Sequence, residues 1–304
     1  MSNFPAFSYP YGELSVISTG SLRLDRALAI GGIPTGQIIE ICGNEGSGKT
    51  TLCQSILAEA QKLGRLGALI DSDHTFEPRY AMACGVRLGQ SFLVEPISAE
   101  QVLETSYLLA QSGALAVIII DSLTSMATES ELESPYGEPR EADLERLLSL
   151  WLPQLVSAAR RHKTAIIFTN QNQTDLSHVY HGLESHLARL ALPMAAALRL
   201  KLHACSDDGS ETNIQHIQVE IIKNKFAPCS KPLTLDIIIN KGFNKTGELI
   251  DLGQELNIIT RKDAAYYLVD TYLGCERAEI FESLVKSTRL ADELEQAIRR
   301  IKQE

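Results

Sequence analysis

The fold of this chain is decided by one glycine-rich stretch, Gly43-Asn44-Glu45-Gly46-Ser47-Gly48-Lys49-Thr50. It fits G-x-x-x-x-G-K-[ST], the phosphate-binding P-loop motif. Residues 37–42 before it predict a buried strand, and residues 51–63 after it predict a helix with one apolar face. A strand, a glycine loop and a helix in this order are the context that the motif requires. That context disfavours the alternative, a structural glycine turn with an incidental lysine.

The motif predicts a nucleotide site in which the residues have distinct roles. Its glycines let backbone N–H groups converge on phosphate oxygens, and the N-terminus of the following helix adds partial positive charge there. We expect Lys49 to reach the β- and γ-phosphates of ATP and the Thr50 hydroxyl to ligate Mg²⁺. The other residues of the motif, together with Thr51, complete the expected nucleotide-binding set.

Composition sets the class of protein. The 304 residues are 44% hydrophobic and 22% charged, which predicts a globular protein with one large domain or one large and one small domain. The net charge of -10 disfavours a generally basic nucleic-acid coat but leaves room for a local basic groove. The six scattered cysteines include no C-x-x-C pair, which disfavours a zinc site or a disulfide framework. With no signal peptide and no apolar span, we expect a cytoplasmic protein without a membrane partner.

Strands alternate with helices after the motif. The predicted strands lie at residues 67–71, 92–94, 116–121 and 164–169, and the predicted helices at residues 99–111 and 141–161. This order predicts an α/β fold with a mostly parallel sheet covered on both faces. Residues 197–203, 217–223 and 233–239 alternate more strictly and predict antiparallel edge strands. We divide the chain into a short N-terminal segment (1–16), an ATPase core (17–240) and a small C-terminal α/β domain (241–304) with two helices, near 276–286 and 290–302.

Polar residues follow the buried strands at the edge where ligands of open α/β sheets bind. Asp121 ends the most apolar strand and suits a Walker-B role, in which it holds Mg²⁺ through the water shell of the ion. Gln171 follows the next strand and is placed to sense the γ-phosphate. Asp71 and Asp73 follow the strand at 67–71, and either carboxylate is able to orient an attacking water. For each of these residues the alternative is a solvated side chain at a strand end.

Several further stretches, in order and at consistent spacing, resemble bacterial RecA recombinases. Besides the P-loop, they are residues 17–22, 31–36, 70–74, 121–122, 169–171, 223–228 and 248–253. The similarity runs from about Ser15 to the end of the chain. It implies a RecA-like P-loop core with a mostly parallel twisted sheet, antiparallel edge strands and a small C-terminal α/β domain.

The resemblance also implies roles for individual residues. Tyr80 looks like the aromatic residue that stacks on adenine, and Asp73 lies where the family has the glutamate that activates water. Gln171 matches the glutamine that couples the γ-phosphate to the second DNA-binding loop. Lys223 and Lys225 match lysines that reach the ATP of a neighbour in a filament, and neither has an evident use within its own subunit. The implied catalytic residues are thus Lys49, Asp73 and Gln171, in a homo-oligomer or filament on single-stranded DNA.

The chain departs from the family pattern in its DNA loops. The first loop maps to residues 131–143, which are strongly acidic, and the second to residues 172–190, which lack the family's basic residues and glycine-threonine tract. Acidic loops repel phosphate, and phosphate contacts carry most of the affinity for single strands. Four side chains in these loops are still able to stack or pair: Tyr136, Tyr180, His181 and Arg189. In addition, Asp73 is one methylene shorter than glutamate, and no gripping helix is evident ahead of Ser15.

Two functions follow from these features. The first is an ATP-dependent recombinase and repair protein that forms a filament on single-stranded DNA and hydrolyses ATP at subunit interfaces. The second is a RecA-like ATP-binding accessory or regulatory protein of the DNA damage response that does not exchange strands. The complete nucleotide motif and the pair Lys223 and Lys225 favour the first function. The departure of both mapped DNA loops from the family pattern favours the second. A small-molecule P-loop kinase is disfavoured, because such kinases usually need an arginine-rich lid and the candidate regions of this chain are acidic.

Overall fold

The computed structural model describes residues 8–9, 12–134, 141–171, 191–205, 213–262 and 264–301. In chain order the strands are β1 (Ser8–Tyr9), β2 (Gly12–Glu13), β3 (Val16–Ile17), β4 (Ile33–Pro34), β5 (Ile38–Gly43), β6 (Leu66–Asp71), β7 (Ser91–Val94), β8 (Leu115–Asp121), β9 (Ala165–Gln171), β10 (Leu198–Ala204), β11 (Ile214–Asn224), β12 (Leu233–Ile238), β13 (Gly242–Phe243), β14 (Ile259–Lys262), β15 (Ala265–Leu268) and β16 (Thr271–Gly274). The α-helices are α1 (Leu22–Ala27), α2 (Lys49–Lys62), α3 (Pro78–Ala83), α4 (Ala99–Gln111), α5 (Glu129–Leu132), α6 (Glu141–His162), α7 (Ala191–Ala195), α8 (Lys245–Glu255), α9 (Arg277–Lys286) and α10 (Thr288–Arg300).

A nine-stranded sheet organises the molecule. Its order is β13-β12-β11-β10-β5-β9-β8-β6-β7, and the six strands from β10 to β7 run parallel to one another. Strands β11, β12 and β13 continue the sheet in antiparallel fashion. The predicted α/β architecture, a mostly parallel sheet with antiparallel edge strands, is therefore confirmed.

The central strands are buried on both faces. Every residue of β5 and of β8 is buried, as the largely apolar sequences of these strands indicate. Ile39 and Ile41 pack with α2 on one face, whereas Ile38 packs with α4 and α6 on the other. Because these strands pair in parallel, the carboxyl ends of β5, β6, β8 and β9 meet at one edge of the sheet.

The C-terminal part of the chain has a core of its own. Strands β14, β15 and β16 form an antiparallel sheet, and α8, α9 and α10 pack around it. Leu22 of α1 belongs to this same core, so α1 joins the two parts. Both predicted helices are present, close to their expected bounds. The three short strands were not predicted, and the division of the chain at residue 241 stays a prediction.

Some of the expectations concern residues outside the described stretches. The second mapped DNA loop, 172–190, lies outside them, as do residues 135–140 of the first. Tyr136, Tyr180, His181 and Arg189 therefore lie outside the described residues. The described residues before Ser15 form the strand pair β1 and β2. Within the described part of the chain, no helix combines the length and the hydrophobicity needed to cross a membrane.

Candidate nucleotide-binding site

The glycine loop turns the chain from β5 into α2 as the motif predicts, although α2 begins at Lys49, inside the motif. Gly46 and Gly48 have φ angles of 69° and 88°, in the left-handed region that favours glycine. A Cβ on Gly48 would also lie 2.8 Å from Cδ1 of Ile237. The left-handed backbone at this position therefore favours glycine, and a larger residue would also displace the end of the Ile237 side chain.

Lys49 is folded back over the loop. Its ammonium group donates to the carbonyl oxygens of Gly43, at 3.0 Å, and Asn44, at 2.8 Å. The residue is only 8% exposed, and burial lowers the pKa of its amine. The Ser47 hydroxyl is buried and has no hydrogen-bond partner within the described stretches. A partly buried cation and an unpaired hydroxyl suit the charged oxygens of a phosphate, which make stronger hydrogen bonds than carbonyls do.

Asp121 is held by two hydroxyl groups. The Thr50 hydroxyl donates to its Oδ2 atom at 2.8 Å, and the Thr169 hydroxyl donates to its Oδ1 atom at 2.5 Å. Burial raises the pKa of this carboxyl group, while the two hydrogen bonds and the charge of Lys49 oppose that change. Mg²⁺ prefers oxygen ligands and typically takes one or two protein groups plus phosphates and water. The Thr50 hydroxyl and the Asp121 carboxylate fit such an ion.

Among the residues that the structure describes, no three His, Cys, Asp or Glu side chains come together in a way that would hold a metal ion. A site with two protein oxygens therefore leaves room for phosphate oxygens to supply the rest of the coordination shell.

A cavity of about 680 Å³ opens in front of these groups. The structure brings to it seven residues that the sequence singles out: the P-loop residues Glu45, Gly46, Lys49 and Thr50, together with Asp73, Asp121 and Gln171. The rest of its lining is polar: Ser72, Thr75, Ser122, Thr124 and Ser125. The position matches the expected one, beyond the carboxyl ends of the parallel strands.

The two aspartates after β6 have different environments. Asp73 lines the cavity and accepts a hydrogen bond of 3.0 Å from the Ser122 hydroxyl. Asp71 is buried and accepts the backbone N–H groups of Thr75, at 3.3 Å, and Phe76, at 2.9 Å. Asp71 therefore closes the turn after β6, which leaves Asp73 as the carboxylate available to a water in the cavity.

Tyr80 lies beside the start of α2 and does not line this cavity. Its hydroxyl and that of Thr51 are 2.6 Å apart, and burial raises the pKa of Tyr80. The contact fixes the Tyr80 side chain next to the helix that begins in the P-loop. Its stacking on adenine stays a prediction.

Lys223 and Lys225 also lie outside the cavity lining. The Lys223 ammonium group donates to the carbonyl oxygens of Pro193, at 2.7 Å, and Met194, at 3.2 Å, in α7. The expectation that Lys223 has no use within its own subunit is therefore wrong. It failed because the carbonyl partners come from helix α7, 30 residues and 29 residues away in sequence, where no motif indicates a contact.

Sequence reasoning missed the hydroxyl groups that organise the site. Thr169 supports Asp121, Ser122 supports Asp73, and the Thr124 hydroxyl accepts the backbone N–H of Gln171 at 3.1 Å. The only available signal is a threonine at the end of an otherwise apolar strand, and a serine and a threonine just after another. Their partners become apparent only when β8 and β9 are placed side by side.

Comparisons with known proteins agree with this geometry. Residues 9–244 match the family model of the RecA N-terminal domain. The chain is 38% identical over 292 residues to Protein RecA of Chloroflexus aggregans, an alignment covering 95% of this chain and 83% of that protein. It is 37% identical over 288 residues to Protein RecA of a Roseiflexus species, covering 94% and 82%.

A solved structure gives independent support for the fold alone. The crystal structure of the RadB recombinase superposes with a TM-score of 0.55 at 21% sequence identity. The superposition covers 75% of this chain and 98% of that one.

Proposed function

Because this chain belongs to the RecA family, we propose that it acts in DNA recombination and repair as an ATPase that assembles on single-stranded DNA. One observation carries the proposal. A single cavity joins the P-loop lysine, the oxygen pair of Thr50 and Asp121, and the unblocked carboxylate of Asp73. These are a phosphate cradle, a cation site and a group that orients water, which together suit phosphoryl transfer to water.

The residues divide the chemistry among them. The Lys49 ammonium exchanges the carbonyls of Gly43 and Asn44 for the β- and γ-phosphates, and there it stabilises charge that develops on the transferring group. Asp73, steadied by the Ser122 hydroxyl, orients the attacking water. The Thr50 hydroxyl and the Asp121 carboxylate would hold Mg²⁺, which would neutralise phosphate charge when bound.

Three further roles belong to the same proposal. Gln171 lines the cavity at the end of β9, immediately before residues 172–190, so it is placed to relay the state of the γ-phosphate to that segment. Tyr80 stacks on the base. Lys223 and Lys225 complete the site of a neighbouring subunit, which requires Lys223 to leave the carbonyls of α7.

The experiment that tests the proposal is ATP turnover with and without single-stranded DNA, measured across a range of salt concentrations. We expect DNA to stimulate turnover. We also expect a shallow salt dependence of DNA binding, because few basic residues lie in the mapped loops. No hydrolysis under any condition would contradict the proposed function. A steep salt dependence at high affinity would show that the DNA surface lies elsewhere.

One observation favours the accessory function as a second candidate. Helix α5, at the start of the first mapped DNA loop, carries Glu129 and Glu131 and is followed by Glu133. Glu131 is fixed in a capping box with Thr128, so this negative charge is part of the folded structure. ATP binding and hydrolysis that single-stranded DNA leaves unchanged would favour an accessory ATPase over a recombinase.

A further inference from the structure

A buried carboxylate interrupts the apolar strand β5. Glu40 is 1% exposed, between Ile39 and Ile41, which are fully buried. Its Oε2 atom accepts a hydrogen bond of 2.5 Å from Nε of Arg199, the residue directly opposite on β10. Its Oε1 atom accepts one of 3.2 Å from the side-chain amide of Asn170. Glu40 thus links the strands on either side of β5.

On one side, this link leads towards the cavity. Asn170 immediately precedes Gln171, whose backbone N–H donates to the Thr124 hydroxyl. The Thr124 and Ser122 hydroxyls are 3.3 Å apart, and Ser122 donates to Asp73. The end of β9 is therefore fixed from two directions, by Glu40 through Asn170 and by the hydroxyl groups that also hold Asp73.

On the other side, the link leads to Lys223. Arg199 lies opposite Lys223 in the register of β10 and β11. The two cations repel, and the negative charge of Glu40 offsets that repulsion. Glu40 and Arg199 thus form the middle of a line of polar side chains that crosses β9, β5, β10 and β11.

Stability does not explain why an ion pair occupies this place. Burying a carboxylate carries a desolvation cost, and well-packed apolar residues in place of a buried ion pair are often neutral or stabilising. Neighbouring positions of β5 on the same face hold an isoleucine without difficulty, as Ile38 shows. The pair therefore points to a role in positioning.

We propose that Glu40 and Arg199 are positioning residues for ATP turnover. They hold the Asn170–Gln171 end of β9 at the cavity, and the charge of Glu40 offsets the repulsion between Arg199 and Lys223. The inference rests on the proposed function, because it assigns a role in the turnover of that same site. Neither residue lines the cavity, so their loss acts on the rate of the reaction and leaves nucleotide binding intact.

The test compares Glu40→Leu with the double variant Glu40→Leu/Arg199→Leu. The single variant leaves Arg199 without its carboxylate partner and lowers the midpoint of thermal unfolding, whereas the double variant recovers most of that loss. We expect kcat of the double variant to stay about 10- to 100-fold below that of the unsubstituted protein, the scale of a small misplacement. We expect KM for ATP to stay within about 2-fold, because ground-state binding is unchanged.

A purely structural pair gives the opposite pattern. In that case kcat returns together with stability in the double variant, and this result would overturn the inference. If the double variant does not fold, Glu40→Gln gives the same test with a nearly isosteric side chain. It should lower kcat with KM preserved, and a normal kcat in that variant would refute the positioning role.

An ion pair of similar exposure outside the cavity lining serves as the control: Arg299 lies 3.5 Å from Asp25 and also pairs with Glu295. Arg299 and Asp25 have side-chain exposures of 25% and 3%, against 26% and 2% for Arg199 and Glu40. Arg299→Met should lower stability and leave kcat unchanged. A control variant with the same loss of kcat would show that any buried pair has this effect and would overturn the inference. The absence of ATP hydrolysis in the unsubstituted protein would instead overturn the proposed function and, with it, this inference.

Discussion

Buried carboxyl groups at the cavity edge and at the start of α1 are held in different ways. At the cavity edge, Asp121 is bound by two hydroxyls and faces open space and Lys49. At the junction between α1 and the C-terminal helices, Glu248 accepts the Ser21 hydroxyl at 2.6 Å and the backbone N–H of Leu22 at 2.8 Å. The first group remains available to a ligand, whereas the second is occupied as a cap for a helix.

The rest of the junction repeats this pattern. Asp25 accepts the Ser18 hydroxyl at 2.6 Å and both the N–H and the hydroxyl of Thr19 at 2.8 Å. A groove of about 640 Å³ borders Glu248, but the oxygens of Glu248 are already bound to α1. Burial of an acid therefore does not mark a reactive site. An acid that lies beside the P-loop lysine and lines the open cavity, as Asp121 does, is the better candidate.

The largest expected effect tests the cavity side of this comparison. Lys49→Ala removes the cation from the phosphate cradle, and ATP hydrolysis should fall by roughly 10³-fold, on the scale of losing one charge-stabilising group. Steady-state turnover of purified protein measures it. Lys62→Ala, at the exposed end of the same helix, is the control and should keep full activity. Normal hydrolysis by Lys49→Ala would mean that the cavity is not the nucleotide site.

A smaller effect distinguishes the two aspartates after β6. Asp73→Asn should lower kcat by about 100-fold and leave nucleotide affinity unchanged, because it removes a group that acts in the transition state. Asp73→Glu, which restores the length found in the family, should raise kcat. Asp71→Asn should lower stability and leave kcat nearly unchanged. If neither substitution at Asp73 alters turnover, another group orients the water.

The smallest effect tests the junction. Burial raises the pKa of Glu248 to about 7 and that of Asp25 to about 6, from ordinary values of 4.5 and 3.8. The folded state therefore holds these protons more tightly than the unfolded chain does. The resulting stability is complete below about pH 4 and is lost as the pH rises through about 7.

The variant Glu248→Gln cannot titrate at this position. Its unfolding midpoint should change less between pH 5 and pH 8 than that of the unsubstituted protein, by a few degrees for each kcal/mol removed. ATP turnover of the folded variant should be normal. An identical pH dependence in both proteins would show that Glu248 is ionised in the fold and that the junction owes its pH response to other groups.

The cavity residues that were predictable share one property, which is that local sequence fixes them. The glycine spacing identifies the P-loop, and the apolar run before Asp121 identifies that aspartate, so the adjacent residues are enough to predict both. Thr169 and Ser122 were not predictable, because their roles depend on which strands are neighbours. The pair Glu40 and Arg199 is separated by 159 residues and is visible only in the register of β5 and β10.

The same reasoning accounts for the sheets. Strands β5, β8 and β9 are rich in apolar residues and were predicted to within two residues at each end. Strands β14, β15 and β16 have four residues each, too few for an alternating pattern to stand out from a loop. Their pairing depends on the core that they share with Leu22, which is far away in sequence.

The central claim is that the site is shared between subunits, and a mixing experiment tests it most directly. One variant, Lys49→Ala, lacks the P-loop cation, and the other, Lys223→Ala/Lys225→Ala, lacks the lysines proposed to reach the neighbour. In an equimolar head-to-tail assembly, about a quarter of the interfaces join an intact P-loop to intact lysines. The account predicts that two nearly inactive proteins regain turnover on mixing, and that turnover per subunit rises with protein concentration. No rescue, with turnover independent of concentration, would contradict it.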